Sequence, residues 1–464
     1  MQEPTVVKQY MTMIIPFAYQ KPFASACQEQ MDAGVFESKE KTADRLFDYA
    51  EHLVSGEYNR NEAIGRLWSM KQGARKSVGL PSNYNQPITC STKQKHWIFY
   101  IREVELYLFE TQVGFLLYHI QFPNKLVIDE QIEAVYYLKK LMNFDHHLTF
   151  EQRLSINEAV SRDLQLSDIS LEILRGIDVE TFFEGNKRRP TEALVFSAVL
   201  LDSLTEADMA DRYLFHMRRS FKATYKPSGA EQNIWQNPDL LRLFGNSCWG
   251  ISSEGLANMI TRTGDAGTDE FFINQYFSHI QNTYTYLYLL ILHQKFALLY
   301  LSVQASHISH ELDLHENDPG KQSEILTRMK DRIVKFMLRS SYKQVSRSTH
   351  HAALYEWMRN RLKIDDLFKE LHETMEALAA LTESAEQNLR LKEEERKSEQ
   401  RERFNKKISG ISAIFLPLTV ITGIYGMDVS WLDCLKEPWL FVIMTAMSYL
   451  LTYVLFRWWF NKDN

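Results

Sequence analysis

The stretch SAIFLPLTVITGIYGMD, Ser412–Asp428, decides the fold that we predict for this chain of 464 residues. It belongs to an uncharged window, residues 408–427, that is rich in Ile, Leu, Phe and Val. An α-helix needs about 20 apolar residues to cross the hydrocarbon core of a bilayer. The window therefore predicts a first transmembrane helix, and Asp428 places a carboxylate at its exit.

A second uncharged window begins at Pro438 and ends at Phe456. Only the segment DVSWLDCLKE, residues 428–437, separates it from the first window. Two spans with so short a connection predict a helical hairpin in the membrane, with residues 438–457 as its second helix. The chain should therefore be anchored in a lipid bilayer by this hairpin.

Basic residues flank the hairpin on both outer sides, because Lys407 precedes it and Arg457 and Lys462 follow it. The connection, residues 428–437, carries three acids and one Lys. Since Lys and Arg favour the cytoplasmic side, both termini should be cytoplasmic and the connection should be an extracytoplasmic loop. Residues 458–464 then form a cytoplasmic tail, and the expected location is the cell inner (plasma) membrane.

A further apolar stretch, YTYLYLLILHQKFALLYLSV at Tyr284–Val303, is also long enough to span a bilayer. His293, Gln294 and Lys295 lie at its centre. A central Lys costs roughly 2.5–3.5 kcal/mol on insertion into a bilayer. We therefore expect a buried helix of a water-soluble part, which a mean hydropathy of −0.32 for the whole chain also favours.

The first window has one small or polar side when it is drawn as a helix. Residues three and four positions apart along this side are Asn405, Ile408, Ser412, Leu416, Thr419, Gly423 and Gly426. Bulky residues occupy the opposite side, at Ile411, Ile414, Leu418, Ile421 and Tyr425. Small residues let transmembrane helices pack closely. The same side could instead form the wall of a water-filled pore with apolar constrictions at Ile408 and Leu416, and the spacing alone leaves both interpretations open.

A long charged segment leads into the first window. From Phe368 to Lys407 there is no Gly or Pro, and most residues after Leu391 are charged. This composition predicts a solvated helix, here called the stalk helix, that is supported by ion pairs four residues apart. If it runs unbroken into the membrane its length is about 90 Å. Such a helix requires partners, in a bundle or in a symmetric oligomer.

The succession of a long charged helix, the stretch FLPLTVITGIYGMD, a short loop and a second span resembles the CorA family of divalent-cation channels. The family signature is Tyr-Gly-Met-Asn at the outer end of the first span. Tyr425, Gly426 and Met427 match it, and Asp428 stands in place of the Asn. The resemblance implies a CorA-like homopentamer, in which the first spans line a pore, the second spans surround them and the stalk helices join a cytosolic α/β head.

On this mapping, the small side of the first span faces the pore. The implied pore-lining residues are Asn405, Ile408, Ser412, Leu416, Thr419 and Gly423, here called the small row. Ile408 and Leu416 become gate candidates, since apolar constrictions can close by losing water. Tyr425–Asp428 becomes the selectivity motif, in which a ring of Asp428 carboxylates would hold a hydrated cation through its outer shell. The transported ion is then Mg²⁺ or another divalent cation, and no covalent cofactor is implied.

The rest of the chain predicts a cytosolic α/β domain over residues 1–265 and a helical region with the stalk helix over residues 266–407. Segments rich in β-branched and aromatic residues indicate strands at Thr5–Phe17, Glu103–Glu110, Val113–Gln121 and Glu192–Leu201. Helical patterns indicate helices at Lys41–Ser55, Asp129–Leu141, Phe271–His310 and Ser323–Leu338. Thr111 and Gln112 should form the turn of a β-hairpin.

Catalytic chemistry is not indicated in this part of the chain. We find neither a nucleophile–base set nor a glycine-rich phosphate motif, so we do not predict an enzyme. Metal-ligand residue types that a polar helix end explains more simply are found at His307, His310, Glu311, Asp313 and His315. Lys187, Arg188 and Arg189 could meet a small anionic or nucleotide ligand, although a solvated loop is the simpler interpretation. The formal net charge of −6 argues against direct nucleic-acid binding.

Two functions remain open at this point. The first is a housekeeping channel for divalent cations, foremost Mg²⁺, that is gated by its cytosolic domain. The second, also implied by the resemblance, is an effector channel of an antiviral (CRISPR-associated) system that responds to a nucleotide messenger. The enlarged N-terminal part and Asp428 favour the second. A non-conducting receptor anchored in the membrane is a third interpretation.

Overall fold

The computed structural model describes residues 4–40, 43–55, 63–123, 126–155, 158–182, 189–202, 207–222, 224–228, 237–315, 318–426 and 438–460. The chain divides into two units. The head unit comprises Met1–Asp313 and Ile325–Ala379. The C-terminal unit comprises Leu314–Glu324 and Ala380–Asn464.

The described strands all lie in the head unit and join in one mixed sheet. In chain order they are β1 Val6–Tyr19, β2 Phe36–Ser38, β3 Val54–Ser55, β4 Gly65–Met70, β5 Ile88–Ser91, β6 His96–Phe109, β7 Val113–Gln121, β8 His147–Ser155, β9 Glu158–Leu164, β10 Val179–Thr181, β11 Leu194–Leu201, β12 Leu240–Phe244, β13 Ser247–Ile251 and β14 Gly255–Thr261. Across the sheet the order is β12-β13-β14-β11-β1-β7-β6-β5-β8-β9. β10 joins at β1, and β4 joins at β6 and carries β2 and β3. Most neighbours are antiparallel, whereas β11 is parallel to β14 and β3 to β4.

The described helices cover the sheet and form the C-terminal unit. In chain order they are α1 Phe23–Asp32, α2 Asp48–Glu51, α3 Ile128–Leu138, α4 Leu166–Ile173, α5 Ala207–Arg219, α6 Ala266–Phe271, α7 Phe277–His279, α8 Thr285–Leu314, α9 Pro319–Ser340, α10 Thr349–Arg361, α11 Ile364–Gly426 and α12 Pro438–Phe460. π-Helical turns at Phe272–Tyr276 and Ile280–Tyr284 link α6, α7 and α8.

β1 lies inside the sheet, and every residue from Tyr10 to Tyr19 is buried. Successive side chains of a strand point to opposite faces. Met11 and Met13 belong to a core that also contains side chains of α1, α3 and α4. Tyr10 reaches the other side, where its hydroxyl lies 2.9 Å from Thr285 Oγ1 at the start of α8. Because helices cover both of its faces, the strand is mostly apolar rather than alternating.

α8 contains most of the apolar stretch that rivals the C-terminal windows as a membrane span. Among the described residues, the helical segment Ala266–Leu314 alone is long and apolar enough to cross a membrane, but most of its apolar part is buried. His293 Nε2 lies 3.0 Å from Thr111 Oγ1, and Gln294 Nε2 donates to Ser340 O at 2.8 Å. The buried helix expected from the sequence is confirmed, and its polar centre is bonded within the head unit.

Several predicted elements of the head unit are confirmed. β7 has the predicted bounds, Val113–Gln121, and the predicted turn at Thr111 and Gln112 joins it to β6. Gln112 has a φ of 62°, the left-handed conformation that such tight turns require. β6 begins at His96, earlier than predicted, because its first residues pair with β5. Periodicity in one segment does not reveal a partner strand elsewhere in the chain.

The predicted helix over Lys41–Ser55 is wrong. Within the described part of that range only α2 is helical, and the range ends in β3. Arg45 has a φ of 60°, which an α-helix excludes. Phe47 N donates to Val345 O at 3.0 Å, and β3 pairs with β4. Hydrogen bonds to distant residues therefore override the helical propensity of this segment.

α11 is one helix of 63 residues, so the stalk helix and the first predicted span are continuous. Its exposed surface carries ion pairs four residues apart, such as Arg403 Nη2 at 3.8 Å from Glu399 Oε2. α12 begins at Pro438, where the second span was predicted to begin. The predicted loop, residues 428–437, and the last four residues of the predicted tail lie outside the described residues.

Candidate functional site

The small row lies on the exposed surface of α11 in the C-terminal unit. Positions three and four apart on a helix share one side. All six members of the row, Asn405, Ile408, Ser412, Leu416, Thr419 and Gly423, are exposed in the single chain. Leu416 has 66% of its surface exposed. An apolar side chain so exposed indicates a surface that is covered, or faces a narrow passage, when further copies are present.

On the opposite side of the same helix, one bulky side chain is buried. Ile421, on the bulky side, has only 6% of its surface exposed. Ile411 and Phe415 remain exposed. Apolar side chains of this size are unfavourable in water when many are exposed together. The helix therefore requires lipid or other subunits around it.

Thr419 and Gly423 shape the outer half of the small row. The Thr419 hydroxyl donates to Phe415 O at 2.9 Å. A Cβ added at Gly423 would meet nothing within 4 Å. This part of the row thus combines a hydroxyl-bearing residue with a position that has room around its backbone.

α12 is apolar, and many of its side chains are exposed in the single chain. The larger ones are Trp439, Val442, Ile443, Met447, Leu450, Tyr453 and Val454. Within the described residues its apolar stretch is Pro438–Val454, which is shorter than the about 20 residues of a typical span. Its position in the membrane therefore stays a prediction.

The predicted selectivity motif lies at the end of α11. Tyr425 and Gly426 are the last two residues of the helix. Met427 and Asp428 lie outside the described residues. The roles of Tyr425, Gly426, Met427 and Asp428 therefore stay predictions.

Sequence reasoning missed a polar cluster in the head unit. One ligand atom each of Glu103, Glu105 and His119 lie within 4.8 Å of one another. β6 and β7 create the cluster, because Glu103 is opposite His119 in their register and Glu105 follows two positions along the same face. The signal in the sequence was a pair of acids, Glu103 and Glu105, at alternate positions of one strand. His119 joins them only through the pairing of β6 with β7.

Lys39 occupies the position that a cation would take in this cluster. Its ammonium bonds Glu103 and lies 2.7 Å from Glu105 Oε1. His119 Nε2 lies 3.0 Å from Glu105 Oε2, and the Tyr107 hydroxyl donates to the same oxygen at 3.2 Å. Burial lowers the pKa of Lys39, but the two carboxylates more than offset this and raise it. We interpret the cluster as a structural ion network whose positive partner is the lysine.

The other candidate sites of the head unit are not assembled. In the described part of the chain, the histidines and acids between His307 and His315 do not come together as a metal-binding group. Arg189 bonds Asp168 and donates to Ser167 Oγ at 3.2 Å, so its guanidinium is used within the protein. Lys187 and Arg188 lie outside the described residues.

Comparison with known proteins bears on the C-terminal half of the chain. Residues 282–462 match the family model of the CorA-like Mg2+ transporter protein. This region is CorA-like. The resemblance predicted from the stalk helix, the hairpin and Tyr425–Met427 is thereby confirmed. No curated protein matches the chain.

The CorA-like region contains α8 to α12, and residues 1–281 lie outside the match. The family is that of a Mg2+ transporter protein. Every described strand ends before residue 282, so the described sheet of the head unit has no counterpart in the match.

Proposed function

We propose that this chain forms a channel for divalent cations, foremost Mg²⁺, with five copies around one pore in the inner membrane. The observation that carries the proposal is the exposed small row on α11, which lies within the CorA-like region. In the proposed assembly the small rows line the pore and α12 forms an outer ring toward lipid. The head unit gates the pore from the cytoplasm.

The proposed ion path suits a cation that keeps its water. Mg²⁺ dehydrates reluctantly and usually retains several waters. A pore for the hydrated ion needs polar side chains along its wall, and the hydroxyl-bearing residues Ser412 and Thr419 are both exposed members of the small row. Leu416 lies one helical turn further inside, where five apolar side chains would exclude water and stop conduction. Ile408 is the second gate candidate, nearer the cytoplasm.

Replacing Leu416 tests this proposal. Leu416→Ser should hydrate the constriction and raise the leak of Mg²⁺ into liposomes that contain the protein and a Mg²⁺-sensitive dye. Ile411→Ser is the matched control, because Ile411 is a similar exposed residue on the opposite side of the same helix. Equal leaks in the two variants, or a detergent-solubilised mass that indicates a monomer or dimer, would contradict the pore as proposed.

A second candidate is the signal-gated effector channel. The observation that favours it is the large mixed sheet of the head unit, whose described strands all lie outside the CorA-like match. Expression in Mg²⁺-starved cells separates the two candidates. A housekeeping channel should restore growth without any added signal, whereas an effector should remain silent until its system is triggered and should then arrest growth.

A further inference from the structure

A group of lysines in the head unit is packed on aromatic rings where α3 ends and where the chain leaves α5. We call it the basic-aromatic cluster. Its members are Lys139, Lys140 and Lys222, with Tyr136, Tyr137 and Phe221. Positive charges that lie so close together repel one another. Something must offset that repulsion for the cluster to persist.

The ring of Tyr136 carries two of the three ammonium groups. Lys140 Nζ and Lys222 Nζ each lie 4.8 Å from its centroid. Lys222 Nζ also lies 5.0 Å from the centroid of Tyr137. A cation over an aromatic face gains about 0.5–1 kcal/mol at an exposed site. The rings therefore hold these side chains in place without neutralising their charge.

The third ammonium has neutral partners as well. Lys139 Nζ lies 5.5 Å from the centroid of Phe221 and donates to Arg219 O at 3.3 Å. Lys139 is buried, whereas Lys140 and Lys222 are half-buried. The lysine nitrogens of the cluster thus extend from a buried base to its surface.

Asp145 supplies negative charge to one edge of the cluster. Its Oδ2 lies 3.1 Å from Lys140 Nζ, and the bond to Lys140 lowers the pKa of Asp145. His146 adds no positive charge near pH 7, because burial lowers its pKa to about 4. Arg219 adds a further basic group, since its guanidinium lies 5.9 Å from the centroid of Phe221. Basic residues therefore outnumber Asp145 at this place, in a chain whose net charge is −6.

Two large aromatic side chains are exposed, one packed on Phe221 of the cluster and one adjacent in sequence to Asp145. Tyr225 has 57% of its surface exposed and its ring centroid lies 5.5 Å from that of Phe221. Phe144, the residue before Asp145, has 73% of its surface exposed. Exposed rings beside fixed cations are the combination with which proteins hold phosphate-bearing molecules that also have a planar part.

We propose that the basic-aromatic cluster is a binding site for a small soluble anion that carries a phosphate group. A phosphate monoester has a charge between about −1.5 and −2 at pH 7, which is opposite in sign to the excess of basic residues in the cluster. Lys140 and Lys222 bind its oxygens as point charges, and Tyr225 and Phe144 offer surface to a planar part of the ligand. The site is independent of the proposed pore and needs no channel activity to be measured.

Binding of pyrophosphate and of adenosine monophosphate to the full-length protein in detergent tests the proposal by calorimetry. We expect the double variant Lys140→Gln/Lys222→Gln to bind pyrophosphate at least about tenfold more weakly, since hydrogen bonds to charged groups are lost. The control is Lys71→Gln/Lys93→Gln, because both lysines are exposed and outside the cluster. Lys140→Arg/Lys222→Arg keeps the charge and should retain binding.

Three results would overturn the site. They are the absence of binding of either probe to the parent, a loss of binding in the control variant as large as in the cluster variant, and an arginine variant that binds as weakly as the glutamine variant. Nanodiscs distinguish the source of the phosphate. If pyrophosphate binds in phosphatidylcholine discs but is displaced when phosphatidylglycerol is added, the cluster takes a lipid headgroup and the soluble ligand is wrong. Unchanged binding supports the soluble anion.

Discussion

The head unit and the C-terminal unit differ in which kinds of side chain they bury and which they expose. In the head unit, Gln294 and Glu105 are buried, and each is bonded to other parts of the protein. In the C-terminal unit, Leu416 and Leu450 are apolar and exposed. These buried polar residues of the head unit find partners within one chain, whereas these apolar residues of the C-terminal unit are not covered by it.

This difference shows which part of the chain requires lipid or further subunits around it. A buried polar group without a partner costs about 1–3 kcal/mol, whereas a hydrogen bond contributes about 0.5–1.5 kcal/mol, so burial of polar groups favours pairing them. Exposed apolar helices have no such internal solution and require lipid or copies of themselves. α8 shows the contrast most clearly, since it passes as a span by composition but is buried in the head.

The largest expected effect belongs to Asp428 at the proposed outer mouth. Asp428→Lys would replace a ring of carboxylates by a ring of ammonium groups and should abolish divalent-cation flux into liposomes. Asp428→Asn keeps an oxygen acceptor and should conduct, with weaker attraction of cations at low salt. Flux through Asp428→Lys equal to that of the parent would show that the residue lies away from the ion path.

The next effect concerns the ion network of the head unit. Lys39→Met removes the ammonium that Glu103 and Glu105 share, and leaves two carboxylates side by side. We expect the free energy of unfolding to fall by about 3 kcal/mol, as for other broken buried pairs. Urea unfolding followed by tryptophan fluorescence measures it. Lys369→Met removes an exposed partner of Glu373 and should change stability by less than about 0.5 kcal/mol. Equal losses in the free energy of unfolding in the two variants would contradict the difference expected between the Lys39 network and the exposed pair of Lys369.

Buried histidines should make the head unit sensitive to acid. Burial lowers the pKa of His293 to about 3 and that of His216 to about 4. The unfolded chain binds these protons near pH 6.5 and the folded head does not, so stability present at pH 7 is lost progressively as the pH falls below 6.5. We expect a loss of about 1–2 kcal/mol per such histidine at pH 5.

His293→Phe isolates this effect, since it keeps a ring of similar size against Phe109. The ring centroids of Phe109 and His293 lie 3.9 Å apart. Urea unfolding at pH 7, 6 and 5 should show a shallower dependence in the variant. His307→Phe replaces an exposed histidine and serves as the control. The prediction is wrong if His293→Phe and the parent lose stability equally between pH 7 and pH 5.

The smallest effect is expected on the stalk helix. Glu399→Gln breaks its ion pair with Arg403, and both side chains are largely exposed. Such pairs contribute about 0.3–0.5 kcal/mol, so the melting curve measured by circular dichroism should shift very little. A large shift would show that neighbouring copies cover this part of α11 and would sharpen the distinction between one chain and its assembly.

Local patterns predicted the elements whose periodicity is complete within one segment. α11, α12 and β7 are of this kind, since a long run without Gly or Pro, an uncharged window and a compact β-branched run each identify an element. β12, β13 and β14 were not predicted, because short strands are stabilised by their neighbours more than by their own composition. α2 and β3 replaced a predicted helix for the same reason.

The sequence by itself determined the helices α11 and α12 and the resemblance to CorA, because apolar length and charge are properties of contiguous residues. Only the tertiary structure decided that Glu105 meets His119 and that Lys139 and Lys222 share a cluster. These residues are brought together by strand register and by helix ends far apart in the chain. Electrostatic interactions depend on distance in space, and the order of residues does not specify that distance.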